Sequence, residues 1–401
     1  MNPLNKLIIT RWKDSVITLL QSGKEVVQID IEPEENKSVL GNIYIGKVNN
    51  IVKNINSAFV DIGNGLMGYL SLTDGNVLFA DGRPFEGRLR QGDEIIVQVE
   101  RDAVKTKAPV LTGNLNITGR YFVLTSGKKQ IGFSSKIIDQ AWKQEMKPYL
   151  EAVREENFGI IVRTNAHGAS RKELEAELFH LKDSLTRMLE NAGHRTCYSL
   201  LYSSAPSYLT NLRDSLKASL EAVITDQADI YETVKDYLTQ YQPEDLNRLS
   251  LYADELLPLG KLYRIEKTME EALGKRVWLK SGGYLVIEPT EALSVIDVNT
   301  GKYSGKKALR ETIMKVNLEA AEEIGHQLRL RNLSGIIIID FIDMEAEEDR
   351  KILVQRLEEI FSRDPVKTTV VEITKLNLVE VTRKKIRKPL YEQAVQAKER
   401  I

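Results

Sequence analysis

Cysteine is nearly absent from this chain. Cys197 is the only one in 401 residues, which excludes an intramolecular disulfide and any cysteine-built zinc cluster within one chain. That usage fits a reducing compartment. A dominant charge sign is missing too, since 56 Lys and Arg against 57 Asp and Glu leave a formal net charge of −1. No global field therefore recruits nucleic acid or an anionic membrane, and binding a polyanion has to use local basic patches. No apolar run reaches membrane-spanning length, and the opening MNPLNKLIITRW has too short an apolar core for a signal peptide. Repeats and low-complexity segments are lacking as well. The expectation is a cytoplasmic, soluble protein with no membrane segment. Composition is otherwise globular, 42% hydrophobic and 28% charged, in a chain long enough for about two to four domains.

The pattern changes along the chain. Residues 1–34 hold three alternating runs, KLIITRW, SVITLLQ and EVVQIDIE, separated by turn signals, which predict a small antiparallel meander. From about 37 to 112, short strands come at even spacing (NIYIGKVNNIV, NSAFVDIGN, LMGYLSL, DEIIVQVER), the signature of a small closed barrel of the OB type. Such barrels bind oligonucleotides through exposed aromatic and basic side chains. Phe59 and Tyr69 are the aromatic candidates, with Lys107 nearby in the chain, and composition alone leaves core packing equally open for both rings. Residues 115–200 mix strands (GRYFVLTS, NFGIIVRTN) with two helical patterns, an α+β unit, and 207–272 continue with helices and short strands. From 273 onward, strand and helix alternate, predicting a layered α/β domain.

Two strands of that last domain end alike: ALSVI runs into Asp297 and GIIII into Asp340. Between them, Leu309, Ile313, Val316, Ala320, Ile324 and Leu328 recur at steps of three and four, an amphipathic helix. A strand–helix–strand connection makes the two strands parallel in one sheet, and as neighbours they would lie about 4.8 Å apart. Carboxylates that close repel unless a cation or a proton intervenes. Oxygen donors without His or Cys suit Mg²⁺, or Mn²⁺, rather than zinc. Asn299, two residues past Asp297, points to the same side and is placed to hold a carboxylate or a metal-bound water. Asp343 is less well placed, as a cap of the next segment. The competing interpretation is that Asp297 and Asp340 merely cap turns at strand ends, and geometry alone does not name a reaction.

The stretches SGGYLVIEPTEALSVIDVNTGKYSG and NLEAAEEIGHQLRLRNLSGIIIIDFIDM closely resemble the catalytic region of the ribonuclease E/G family, in which an aspartate in an ID-x-N context precedes a second in IDFIDM. GNIYIGKVNNIVKNINSAFVDIGNGLMGYLSL resembles that family's S1 domain, and GRYFVL with GIIVRTNAHGAS its 5′-sensor region. The resemblance implies a multidomain α/β and α+β fold. An RNase H-like structural subdomain (1–35 plus 211–272) would be interrupted by an S1 RNA-binding barrel (36–112) and a 5′-sensor (113–210), and followed by a DNase I-like catalytic subdomain (273–401). It implies a Mg²⁺-dependent endoribonuclease that cuts single-stranded RNA and prefers a 5′-monophosphate. By similarity, Asp297 and Asp340 hold the metal and Asn299 orients one of them. RNA-binding positions fall on Phe59, Tyr69 (phenylalanine in other members), Lys107 and Lys367, the last near the cleavage site. The 5′-phosphate pocket falls on Gly119, Val123, Arg163 and Thr164. The bases Arg383, Lys384, Lys385, Arg387 and Lys388 are expected to touch phosphates without sequence preference.

One departure stands out. Well-studied members follow the catalytic subdomain with a CPxC zinc link and a small dimerisation domain, whereas this chain ends at VQAKERI. Zinc is therefore not expected, a homo-oligomer stays open, and the chain is either a shorter variant or a truncated piece. A non-catalytic RNA-binding protein using the barrel is the alternative function, and a nuclease acting on DNA is disfavoured by the S1 match.

Overall fold

The computed structural model describes residues 4–34, 38–73, 75–103, 108–127, 129–155, 158–215, 219–301 and 309–398. The chain forms two compact units, Met1–Glu35 with Ser219–Ile401, and the inserted Asn36–Ala218. The return to the first unit thus comes at Ser219 rather than 211. The reason is local: Arg213 and Asp214, at the end of the helix Ser207–Asp214, bond to Thr118 and Arg163 of the inserted unit. Among the described residues no helix is long and apolar enough to cross a membrane.

Among its described residues the first unit holds two sheets. The strands Asn5–Trp12, Ser15–Ser22 and Glu25–Pro33 form the expected antiparallel meander. Leu220–Thr225 joins Asn5–Trp12 in parallel, and Leu249–Leu251 adds at the edge. The second sheet has six strands in the order Arg276–Trp278, Tyr284–Pro289, Leu293–Asn299, Gly335–Asp340, Leu378–Arg383 and Thr368–Ile373. One face carries Leu285, Ile287, Ile296, Val298, Ile337, Ile339, Val379 and Val381, all buried. It packs on Val316, Ala320, Ile324 and Leu328 of the long helix Leu309–Leu330 and on Leu353, Leu357 and Phe361 of the helix Glu347–Ser362. Both helices belong to that one core, and the opposite face carries half-buried and exposed residues such as Val295, Asp297, Ile336 and Asp340; among the described residues no helix of this core covers it. The four isoleucines are therefore not uniformly buried: Ile337 and Ile339 are 0% exposed, whereas Ile336 is 50% exposed. Asp340 shares the open parity of Ile336 and Ile338.

In the inserted unit, Ile43–Val52, Ser57–Asp61, Met67–Ser71, Val110–Thr112 and Glu94–Arg101 pair in that order, and the last pairs back to the first, closing a five-stranded barrel. Val48, Ala58, Val60, Leu70, Val97 and Leu111 fill it. A four-stranded sheet follows, in the order Asn116–Thr118, Phe122–Thr125, Gly159–Val162 and Ile131–Phe133. The helices Gln140–Val153 and Arg171–Ala192 bury Met146, Leu150, Leu174, Leu178 and Leu185 in its core, as an α+β unit should.

Candidate active site and nucleic-acid surfaces

The long helix returns the chain so that Leu293–Asn299 and Gly335–Asp340 run parallel as neighbours, with Asp297 paired in register with Asp340. Both carboxylates stand on the open face near the C-terminal ends of their strands, Asp297 half-buried and Asp340 exposed. Asn299 Nδ2 donates to Asp297 Oδ2 at 2.7 Å. Loss of hydration pushes the Asp340 carboxyl above its ordinary range, and the charges of Asp297 and Asp343 push it the same way. Asp343 accepts a hydrogen bond from Asn377 Nδ2 at 3.3 Å and adds negative charge beside the pair.

The backbone around this pair is pinned from below. Asn317, fully buried on the long helix, donates from Nδ2 to the Ile342 carbonyl at 2.8 Å and accepts the Ile342 N–H at 3.1 Å. That fixes the chain immediately after Asp340. Glu319, on the same helix, accepts the Ser281 N–H at 3.1 Å and orders the SGG turn. Gly283 in that turn lies so close to Asn299 that a Cβ there would meet the Asn299 carbonyl oxygen at 2.7 Å, so only glycine fits. Asn317 and Glu319 escaped the sequence analysis. A buried-parity Asn between Val316 and Ala320 was the available signal for the first.

No group of three or more His, Cys, Asp or Glu side chains suited to a metal occurs among the described residues. Two in-register carboxylates, one steadied by an amide, remain. That donor set fits Mg²⁺, which keeps much of its water and takes one or two carboxylates together with substrate phosphate.

The ribonuclease E/G family model matches residues 116–386. Ribonuclease G of Escherichia coli K12 is 35% identical over 378 residues, covering 92% of this chain and 77% of that protein. Ribonuclease G of Haemophilus influenzae is 35% identical over 400 residues, covering 97% and 81%. Ribonuclease E of a Nostoc species is 33% identical over 360 residues, covering 88% and 52%. The chain belongs to the ribonuclease E/G family.

In this ribonuclease E/G family member the other expected positions fall as follows. Phe59 and Tyr69 sit directly opposite on adjacent barrel strands, with ring centroids 6.1 Å apart in edge geometry. Ala58, Val60 and Leu70 take the interior positions, so both half-buried rings point outward, and the alternative of core packing does not hold. The Tyr69 hydroxyl lies 2.6 Å from Ser57 Oγ. Lys107 lies outside the described residues.

Gly119, Val123, Arg163 and Thr164 come together on the four-stranded sheet. Arg163 Nη1 donates to the Gly119 carbonyl at 2.5 Å, and the Arg163 N–H donates to the Tyr121 carbonyl at 2.8 Å. Thr164 Oγ1 lies 3.0 Å from Ser134 Oγ. Val123 pairs with both Thr118 and Ile161. Glu177 accepts the backbone N–H groups of Arg120, Tyr121 and Phe122, and a Cβ on Gly119 would meet its Oε1 at 2.4 Å. A partner that sequence reasoning missed is Asp214, which takes Arg163 Nη2 at 2.9 Å. Burial alone would raise the Asp214 carboxyl, but the Arg213 and Arg163 guanidiniums hold it below its ordinary range.

Two expectations need correction. Lys367 is exposed, but it precedes Thr368, which aligns through Arg383 with Gly335, at the opposite end of the sheet from Asp340. That end is roughly 17 Å of strand away, so the structure does not bring Lys367 to the carboxylates. Among the tail bases, Arg383 is 3% exposed and bonds to Asp364 Oδ2 at 2.7 Å, while Arg387 pairs with the buried Asp30 at 2.8 Å. Their buried acidic partners hold them as structural residues, and Lys384 and Lys385 stay exposed.

Proposed function

We propose that this chain hydrolyses phosphodiester bonds within single-stranded RNA, with Mg²⁺ or Mn²⁺ held by Asp297 and Asp340, and that a 5′-monophosphate stimulates it. As a member of the ribonuclease E/G family the chain is an endoribonuclease, a hydrolase. The observation that carries the finer reading is the in-register pair Asp297 and Asp340 with Asn299 bonded to the first. Two like charges this close stand against their own repulsion, a cost that a shared cation removes. A bound divalent ion there supplies Lewis-acid polarisation of a phosphoryl oxygen and eases deprotonation of an attacking water. The protein side of the chemistry is positional. Asp297 and Asp340 present oxygens on one face, Asn299 fixes the Asp297 carboxylate, and Asn317 holds the backbone behind Asp340.

Phe59 and Tyr69 offer outward aromatic faces to RNA bases. Arg163 and Thr164 supply the donors of the 5′-phosphate pocket, with Gly119 and Val123 beside them, and Arg163 exchanges Asp214 for phosphate oxygens. RNA processing or decay in the cytoplasm is the setting this reading suits. The test is cleavage of a 5′-monophosphorylated single-stranded oligoribonucleotide with Mg²⁺ by the unaltered chain and by Asp340→Asn. Turnover is expected only from the former, with RNA binding kept by both. Undiminished cleavage by the variant refutes the assignment of the metal site.

A further inference from the structure

The edge of the open sheet face, beside the carboxylate pair, carries a cluster that the chemistry above leaves unused. Trp278 and Tyr284 sit directly opposite on the hairpin Arg276–Trp278 and Tyr284–Pro289, with ring centroids 5.3 Å apart and planes at 60°. The Arg276 guanidinium lies 4.5 Å from the Tyr284 ring centroid and 5.6 Å from that of Trp278. Trp278 is 65% exposed, an expensive way to leave an indole unless something covers it. Register ties the cluster to the candidate active site, because Tyr284 pairs with Asn299 and Val286 with Asp297. Tyr284 is thus the diagonal neighbour of Asp297 across an antiparallel pair, a separation of about 7–8 Å. The nearby acidic side chain on the Tyr284 strand, Glu288, is occupied by Lys275 at 3.0 Å.

We propose that Trp278, Tyr284 and Arg276 form a stacking platform for the base of a nucleotide flanking the scissile bond. The inference rests on the nuclease reading and adds a base-binding subsite to it. Three observations select an RNA base as the occupant. The exposed indole offers a π-face, on which any base stacks. The guanidinium adds positive charge where a polyanion must approach two carboxylates. The diagonal register places the platform one neighbour away from Asp297, so a strand whose phosphate reaches the metal ligands lays an adjacent base on the edge hairpin. Trp278 is a positioning residue for the substrate, and it takes no part in the bond cleavage.

The experiment walks a single abasic site along a 5′-monophosphorylated oligoribonucleotide with one cleavage position and compares kcat/KM for the unaltered chain, Trp278→Ala and Trp278→Phe. Stacking of one base is worth a loss of roughly 5- to 150-fold. The unaltered chain is expected to show that loss at one nucleotide next to the cut, Trp278→Ala to show none there, and Trp278→Phe to restore it. Such loss of coupling at one position is what a merely structural tryptophan would not give. Identical abasic profiles for the unaltered chain and Trp278→Ala, with cleavage intact, overturn the platform and leave the nuclease reading standing. No cleavage by any of the three overturns the nuclease reading and the platform with it. Self-association in sedimentation that Trp278→Ala abolishes, with abasic profiles unchanged, identifies a second copy of the chain as the occupant and also overturns the proposal.

Discussion

Replacing Asn299 by alanine isolates the orientation of Asp297 from its charge. The Asn299 amide makes one 2.7 Å hydrogen bond to Asp297 Oδ2 from a half-buried position. A bond to an ionised acceptor is worth about 1.5–3 kcal/mol, which corresponds to roughly 10- to 150-fold in an equilibrium constant. Side chains that hold a metal's carboxylate in place cost about 10–100-fold in affinity or activity when removed. Half-exposure lets water replace part of the bond, so the lower part of that range applies, about 10- to 50-fold in the Mg²⁺ concentration giving half-maximal rate. Both carboxylates remain in the variant, so saturating Mg²⁺ should recover most of kcat. The assay titrates Mg²⁺ against the initial cleavage rate of a labelled single-stranded oligoribonucleotide, with Mn²⁺ binding measured in parallel without RNA. A midpoint within about twofold of the unaltered chain in both measurements refutes the reasoning. A lost kcat that Mg²⁺ cannot restore refutes it as well, because Asn299 would then act on substrate rather than on Asp297.

Further outcomes follow from the same structure. Arg163→Ala should reduce the preference for 5′-monophosphorylated over 5′-hydroxyl RNA by about 10-fold or more, the value of a charge-assisted bond, whereas equal losses on both substrates would argue against a sensor role. Asp214→Asn, which frees Arg163 from its present partner, should strengthen that preference in the same assay. His326 Nε2 lies 2.9 Å from the Val26 carbonyl and Nδ1 3.4 Å from Glu323. Burial opposes its charge, but Glu323 and the Val26 carbonyl prevail and raise its pKa above 6.5. A raised folded pKa stabilises fully below the unfolded value and is lost as pH rises through the folded one. The urea midpoint of the unaltered chain relative to His326→Gln should therefore fall as pH rises above about 6.5, and a constant difference would refute the linkage.

The carboxylate pair was legible because two physical facts sufficed: each aspartate ends an apolar strand, and a helical crossover forces those strands parallel. Asn299 followed from strand parity. What the residues did not reveal was the open face. Four consecutive isoleucines carry no alternation, so nothing local says that Ile336 faces solvent while Ile337 faces the helices. Phe59 could have been placed, since Ala58 and Val60 flank it in SAFVD and take the interior. The arginines were opaque for another reason. A basic run looks like a solvated surface until long-range acids appear, and Asp364 and Asp30 lie far from Arg383 and Arg387 in the chain. Asp214 was hidden from Arg163 in the same way, 51 residues along. The Trp278 platform depends on cross-strand pairing at a short edge strand, which periodicity does not report.

The open face also changes what Asp340→Asn should do to binding. Asp297, Asp340 and Asp343 put three carboxylates near one another on a chain of net charge −1, so without a bound cation this surface repels any RNA strand brought to it. One unit charge at about 4 Å from a phosphate opposes it by roughly 1 kcal/mol in bulk water and 4 kcal/mol near a protein surface, less at physiological salt. If Asp340 holds a metal as proposed, neutralising it removes that ligand and part of this repulsion together. Turnover should vanish while RNA binding in a chelator stays level or tightens, most visibly at low ionic strength. Weakened binding of a folded variant in chelator would mean that Asp340 touches RNA through something other than the metal. The two readouts thus separate for a metal ligand and fall together for a residue that merely supports the fold.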